Sequence, residues 1–184
     1  MLRPSRLAPL VALLVGYSLL EGQQPSRFVG YDTDTGPRVL AASVTESATP
    51  ATPEETTLWS IPVPGGTLAR DGEALRLTAS GTCVASEDWN RTWRVRLGGT
   101  ALFEVTADCA AWRLEVTIYR TDTDAQYAIG MFHAWNIPGG YANHQGKVGT
   151  SAVDLTTEQI LTLTGQSSTA GGITFRAGTV ELLR

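Results

Sequence analysis

The stretch Trp112–Thr121, WRLEVTIYRT, decides the fold. Trp112, Leu114, Val116 and Ile118 project to one side, and Arg113, Glu115, Thr117 and Tyr119 to the other. Unbroken alternation at period two marks a strand with one face on a core and one face in water. Its β-branched and aromatic residues suit a pleated, half-buried surface.

Segments of the same kind lie on both sides of it. Upstream, Thr92–Leu97 places Trp93, Val95 and Leu97 inward and Arg94 and Arg96 outward. Gly98-Gly99 then turns the chain into Ala101–Thr106, which makes the clearest hairpin in the sequence. Earlier, the Asp71-Gly72 turn opens Glu73–Cys83, where Leu75, Leu77, Ala79 and Gly81 alternate with Arg76, Thr78 and Ser80. Thr57–Val63 comes first, anchored by Leu58 or Trp59, and its prolines Pro62 and Pro64 predict an edge position.

Downstream, Thr121–Asp124 is a turn, and in Gln126–Trp135 Tyr127, Ile129 and Met131 alternate with Ala128, Gly130 and Phe132. Asn136–Gly149 reads as the longest loop, and Val153 and Leu155 as the start of a short strand. Gln159–Ser167 and Ile173–Leu183 close the series. Ile173, Phe175 and Ala177 share a face with Val180 and Leu182 only if the count slips by one, so a β-bulge is predicted at Gly178. About eight or nine short strands at this spacing predict an all-β fold, an antiparallel β-sandwich or jelly roll over residues 56–184.

Residues 1–55 read differently. Arg3 and Arg6 precede an apolar run, Leu7–Leu20, shorter than the roughly 20 residues a bilayer span needs. Leu7, Leu10, Val11 and Leu14 fall on one face at helical spacing, with Pro9 in the first turn. The favoured reading is an N-terminal arm that docks on a partner, which would cover that face. The alternative is a secretory signal ending in Gly16-Tyr17-Ser18. Phe28–Tyr31 and Arg38–Leu40 are apolar patches suited to adding strands to a neighbour's sheet. Ser43–Thr57, poor in large apolar groups and carrying Pro50 and Pro53, reads as a semi-stiff spacer. The chain is expected to divide into an extended arm with linker, 1–55, and a sandwich, 56–184.

A net charge of −4 over 184 residues argues against a general nucleic-acid binder, which would show a basic face. The two cysteines, Cys83 and Cys109, match no zinc spacing, and their separation leaves open a disulfide or two thiols. No nucleophile elbow, phosphate-binding loop or His-Glu-x-x-His stretch is present. The Gly-Gly pairs starting at 65, 98, 139 and 171 fall where strands must turn. Asp32-x-Asp34 and Asp122-x-Asp124 lack the Gly and Glu of calcium loops. His133 shares a strand face with Ile129 and Met131, which suggests a structural role. His144 has no visible partner for acid–base work, so no catalytic set, cofactor or metal is expected. Trp89, Trp135 and Tyr141 lie on or beside loops and, with His144, are candidates for surface recognition. The competing reading is that these aromatics cap the ends of the core.

The body also resembles a domain common in tailed-phage virion proteins and prophage tail fibres. The resemblance rests on Thr57-Leu58-Trp59 leading to Ile61-Pro62, then Leu68, Asp71-Gly72 and Leu75–Thr82. It continues through Arg94–Thr100, Trp112–Glu115, Arg120-Thr121 with Gln126, and Thr179–Leu183, and so spans about seven-tenths of the chain. Such domains are β-sandwich modules that assemble as trimers on the particle, as fibre tips or capsid decorations. The resemblance therefore implies a non-enzymatic virion protein, a homotrimer held to capsid or tail proteins by residues 1–55. It brings no catalytic residues. Cys83 and Cys109 replace small or polar residues of that pattern and imply a local staple. Two alternatives stand beside it: a module binding a host surface glycan or receptor at a fibre tip, and a secreted bacterial β-sandwich. No nucleic-acid partner and no membrane span are expected.

Overall fold

The alternation in WRLEVTIYRT becomes a strand, Ala111–Asp122, near the middle of a large antiparallel sheet. The computed structural model describes residues 36–84, 91–135 and 142–184, with side chains from residue 144 onward in the last stretch. Leu7, Leu10, Val11, Leu14, Phe28–Tyr31, Trp89 and Tyr141 lie outside the described residues. Among the described residues all regular structure is β, and Pro37–Arg184 forms one compact unit.

The strands in order are β1 (Arg38–Ser43), β2 (Ser47–Ala48), β3 (Thr52–Val63), β4 (Ala74–Thr82), β5 (Arg91–Leu97) and β6 (Thr100–Ala107). They continue with β7 (Ala111–Asp122), β8 (Ala125–Trp135), β9 (Ala142–Ser151), β10 (Gln159–Ser167) and β11 (Thr174–Leu183). One sheet runs β1-β11-β4-β7-β8-β9, with β2 also paired to β11, and the other runs β3-β10-β5-β6. The described pairings are antiparallel. The two sheets pack as a β-sandwich, and their inner faces supply the core: Trp112, Leu114, Val116 and Ile118 from β7 meet Trp93, Val95 and Leu97 from β5. Trp93 touches Trp112 and Phe132 across the gap, with ring centroids 5.8 and 4.7 Å apart. The β5–β6 hairpin turns on Gly98 and Gly99, both at positive φ (54° and 83°), the geometry a two-residue hairpin turn demands. As the prolines predict, β3 is an edge strand.

Four expectations are corrected. Residues 38–55 are not spacer: β1 and β2 pair with β11, and β3 begins at Thr52. Arg38–Leu40 therefore extends the chain's own sheet rather than a neighbour's. Backbone pairing holds these edge residues with few apolar side chains, and Thr49 is locked by bonds to Ile173 N (3.1 Å, through its hydroxyl) and Ile173 O (3.0 Å). The compact unit thus starts well ahead of residue 56.

Second, residues 142–149, expected in a loop, belong to β9, which pairs with β8 along its whole length. Its Gly149 is pressed against the backbone of Leu102, where a Cβ would lie 2.0 Å from the carbonyl oxygen. A strand of glycine and polar residues shows no apolar alternation, so its sequence hides it. Third, Val153 and Leu155 are buried in a turn region rather than in a strand. Fourth, the slip in β11 falls between Phe175 and Ala177, two residues before Gly178. Gly178 serves packing instead, because a Cβ there would meet the Trp59 ring at 2.6 Å.

Cys83 and Cys109 are joined in a disulfide, with Cα atoms 5.7 Å apart. It ties the end of β4 to the approach to β7 and encloses the β5–β6 hairpin. Closing a loop of separation 26 removes entropy from the unfolded chain. Replacing both cysteines by serine is expected to lower unfolding free energy by about 3 kcal/mol, read as a lower denaturant midpoint, with a larger m-value because the uncrosslinked unfolded chain exposes more surface.

Candidate functional site

The two outward faces of the sandwich differ in kind. On the smaller sheet, charges on β3, β5 and β6 neutralise one another, those of β3 and β5 reaching across β10. Glu55 of β3 accepts bonds from Arg96 of β5 at 2.8 Å through each carboxylate oxygen, and from the Thr164 hydroxyl of β10 at 2.6 Å. Arg94 donates to Glu104 at 2.6 Å, to Glu55 at 3.2 Å and to Gln166 at 3.0 Å. The Arg96 guanidinium, helped by Thr164 and the Arg94 charge, holds the Glu55 carboxyl at about 2, against the opposing effect of partial burial. Around Glu55 this face is polar and paired, with Ile160 exposed further along β10.

The outer face of β7, β8 and β9 is not. Strand β8 points Tyr127, Ile129, Met131, His133 and Trp135 outward, while Gln126, Ala128, Gly130, Phe132 and Ala134 face in and are buried. The parity follows from the space inside: a Cβ on Gly130 would stand 2.3 Å from the Phe103 ring. Small residues and one phenyl ring fill the middle of that side, with Gln126 inward only at the end, bonded to Val153, so the large apolar side chains of β8 go to the surface. Cross-strand neighbours widen the row. Tyr119 pairs with Tyr127, Val148 with Ile129, and Arg113 and His144 flank His133 on either side. Ile129, Met131 and Trp135 are each 44–45% exposed, and Val148 is 61% exposed.

At the Trp135 end the row becomes polar. Arg113, Glu115, Met131, His133 and Trp135 line a hollow of about 340 Å³. His133 lies flat against Trp135, with centroids 6.3 Å apart and planes 23° apart. His133 Nδ1 and His144 Nδ1 are 2.6 Å apart. Arg113 and Glu115 approach to 4.0 Å and are both about half exposed, so that pair adds little to stability. On the far side of Arg113 a second, more apolar hollow of about 330 Å³ runs between β1, β11 and β4, past Val44, Thr78, Ser80 and Thr179. The face therefore offers aliphatic surface along its length and ring-plus-charge chemistry at one end. Among the described residues no group of three or more His, Cys, Asp or Glu side chains converges, and no helix is long and apolar enough to cross a membrane.

Of the residues expected in recognition, Trp135 and His144 are brought together here, with His133 between them. His133 is thus part of an open surface. Trp89, Tyr141 and the arm residues fall outside the described residues. Sequence reasoning did not assign Tyr119, Tyr127, Ile129, Met131 and Val148 to a common site. The signal lay in Ala128, Gly130 and Ala134, whose smallness at alternate positions marks the crowded inner side.

No protein-family model matches the chain. No curated protein matches it either. Among solved structures, the chain is similar to the CBM2 module of the evolved Dit of Lactobacillus casei BL23 phage J-1. The sequences are 12% identical, the match covers 66% of this chain and 67% of that one, and the TM-score is 0.33.

The Glu55 network carries a pH signature. Its carboxyl sits at about 2 in the fold against 4.5 as the ordinary value, so its contribution is fully present above about 4.5 and is lost as pH falls through about 2. Glu55→Gln is expected to lower stability at neutral pH by about 1–2 kcal/mol, allowing for solvent screening, and to flatten the acid limb of the stability profile. Urea melts of both proteins between pH 7 and pH 2 check this.

Proposed function

We propose that this chain is a non-enzymatic structural module of a phage particle, displayed as a homotrimer in which the outer face of β7–β9 packs against copies of itself. The observation that carries the reading is the exposed row Tyr127, Ile129, Met131 and Trp135, widened by Tyr119 and Val148. Exposed aliphatic and aromatic groups gathered on one rigid sheet mark an interaction surface. Ile129, Met131 and Val148 favour a protein partner over a sugar, because they offer contact area and no hydrogen bonds. The satisfied Glu55–Arg96 face on the other sheet is suited to stay in water.

The virion assignment is supported by the order of motifs from Thr57 to Leu183, which resembles tailed-phage virion domains, and by the β-sandwich that those motifs form. A disulfide suits a particle exposed to oxidising surroundings. In this reading the residues before Pro37 attach the module to capsid or tail proteins, and threefold closure multiplies weak contacts by avidity. Whether the particle uses it as a capsid decoration or as a short fibre follows from the protein to which those residues bind.

A second reading is favoured by one feature. The hollow at the Trp135 end sets an exposed indole beside Arg113, Glu115 and His133, the combination of stacking surface and hydrogen-bonding groups that holds a sugar ring. A glycan array separates it: a signal on wild type that disappears in Trp135→Ala supports sugar binding at that end.

The principal reading is checked by analytical ultracentrifugation of the full chain. Wild type is expected to sediment as a trimer, and Ile129→Glu or Met131→Glu as a folded monomer. These positions are already exposed, so each change should move unfolding free energy by only about 0.5 kcal/mol. A wild-type monomer across the accessible concentration range overturns the proposal.

A further inference from the structure

His133 and His144 stand directly opposite each other on β8 and β9. Their rings meet edge to face, with centroids 4.7 Å apart and planes 75° apart. The two Nδ1 atoms, 2.6 Å apart, point at one another. At that distance one nitrogen carries a hydrogen and the other offers its lone pair, since two N–H groups cannot face each other so closely. The arrangement holds two imidazole donors on adjacent, fully paired strands and aims them at one point in space.

We propose that His133 and His144 form a binding site for a single divalent transition-metal ion of the imidazole-preferring class: zinc, nickel or copper. For an ion to take a lone pair from both Nδ1 atoms, the ring that carries the shared hydrogen passes it through solvent to its own Nε2, so that both imidazoles bind neutral. Metal–nitrogen bonds of about 2.0–2.1 Å at a tetrahedral centre set the nitrogens roughly 3.3 Å apart. The rings must therefore separate by well under 1 Å from their present spacing, a small torsional adjustment for surface side chains. Imidazole nitrogen selects this class of ion over magnesium and calcium, which need several oxygen ligands.

The surroundings fix the geometry on one side. Trp135 lies roughly parallel to His133, with centroids 6.3 Å apart. The backbone ladder holds the two α-carbons in register from Gln126↔Ser151 to Trp135↔Ala142, so neither strand can slide. Arg113, the cross-strand neighbour of His133 on its other side, brings a positive charge that weakens ion binding, and Glu115 at 4.0 Å from that arginine offsets part of it. Since no third ligand converges among the described residues, the remaining coordination positions are left to solvent or to another molecule. The site is thus open, on the face to which the proposed partner surface belongs, yet the inference stands without that reading: it needs only the two rings of one chain.

The test uses the full chain without a polyhistidine tag. Isothermal titration with nickel chloride and, separately, zinc chloride is expected to show one ion per chain, and magnesium chloride to show none. Removing a direct ligand should cost at least what loss of an outer-shell partner does, so His133→Ala and His144→Ala should each weaken binding by about tenfold or more. Arg113→Ala should tighten it. Nickel should broaden the NMR signals of His133, His144 and Trp135 before those of residues on the opposite sheet. Circular dichroism melts of each variant confirm that the fold persists, as substitutions at surface positions predict. Absence of saturable binding by wild type, or binding unchanged in the double alanine variant, overturns the proposal. Sedimentation run in parallel, with and without nickel, keeps this result separate from the question of self-association.

Discussion

Trp93 from the smaller sheet is wedged between Trp112 and Phe132 of the larger one. All three are fully buried, and they set the distance and alignment of the two layers. Large rings offer much apolar area for few torsions, so the contact is strong for its entropy cost. Everything outside follows from this packing. Once Trp112 and Phe132 face inward, period two obliges Arg113, His133 and Trp135 to face outward. The outer row on β8 is therefore the mirror of the core rather than a separate design.

The same constraint explains why one side of the sandwich is quiet and the other open. On β5 the inward set Trp93, Val95 and Leu97 leaves Arg94 and Arg96 outside, and β3, β6 and β10 supply Glu55, Glu104 and Thr164 within reach. Charges on β3, β5 and β6 find partners across that face, Glu55 reaching over β10 to β5. On β8 the inward positions are crowded by Phe103 and Val116, so the strand keeps Ala128, Gly130 and Ala134 inside and puts its bulk outside. Among the described residues none covers that bulk. A sheet face left in this state is available to a partner, and the ring-rich end near Trp135 is available to a ligand.

The disulfide and the edge strands act on the frame rather than on the site. Cys83–Cys109 holds β4 against β7 at the end of the sheet where β8 carries His133 and Trp135. β1 and β2 cover part of β11, whose free edge would otherwise invite pairing with another chain. Strand β9, packed over β6, does the same for β8 on the far side.

Wherever one face of a strand is apolar, the sequence alone was enough. The β4, β5, β7 and β10 segments, the Gly98-Gly99 hairpin and the sandwich class were legible, because alternation and turn chemistry are local properties. Three things were settled only by the tertiary structure. Edge residues 38–55 are ordered by backbone bonds to β10 and β11, which leave no mark in side-chain pattern. Strand β9 is written in glycine and polar residues because it runs close to another backbone. The site itself was half visible: Trp135 and His144 could be named as surface groups, but the meeting of His144 with His133 depends on the cross-strand register. Register is a relation between distant segments, and no single strand encodes it.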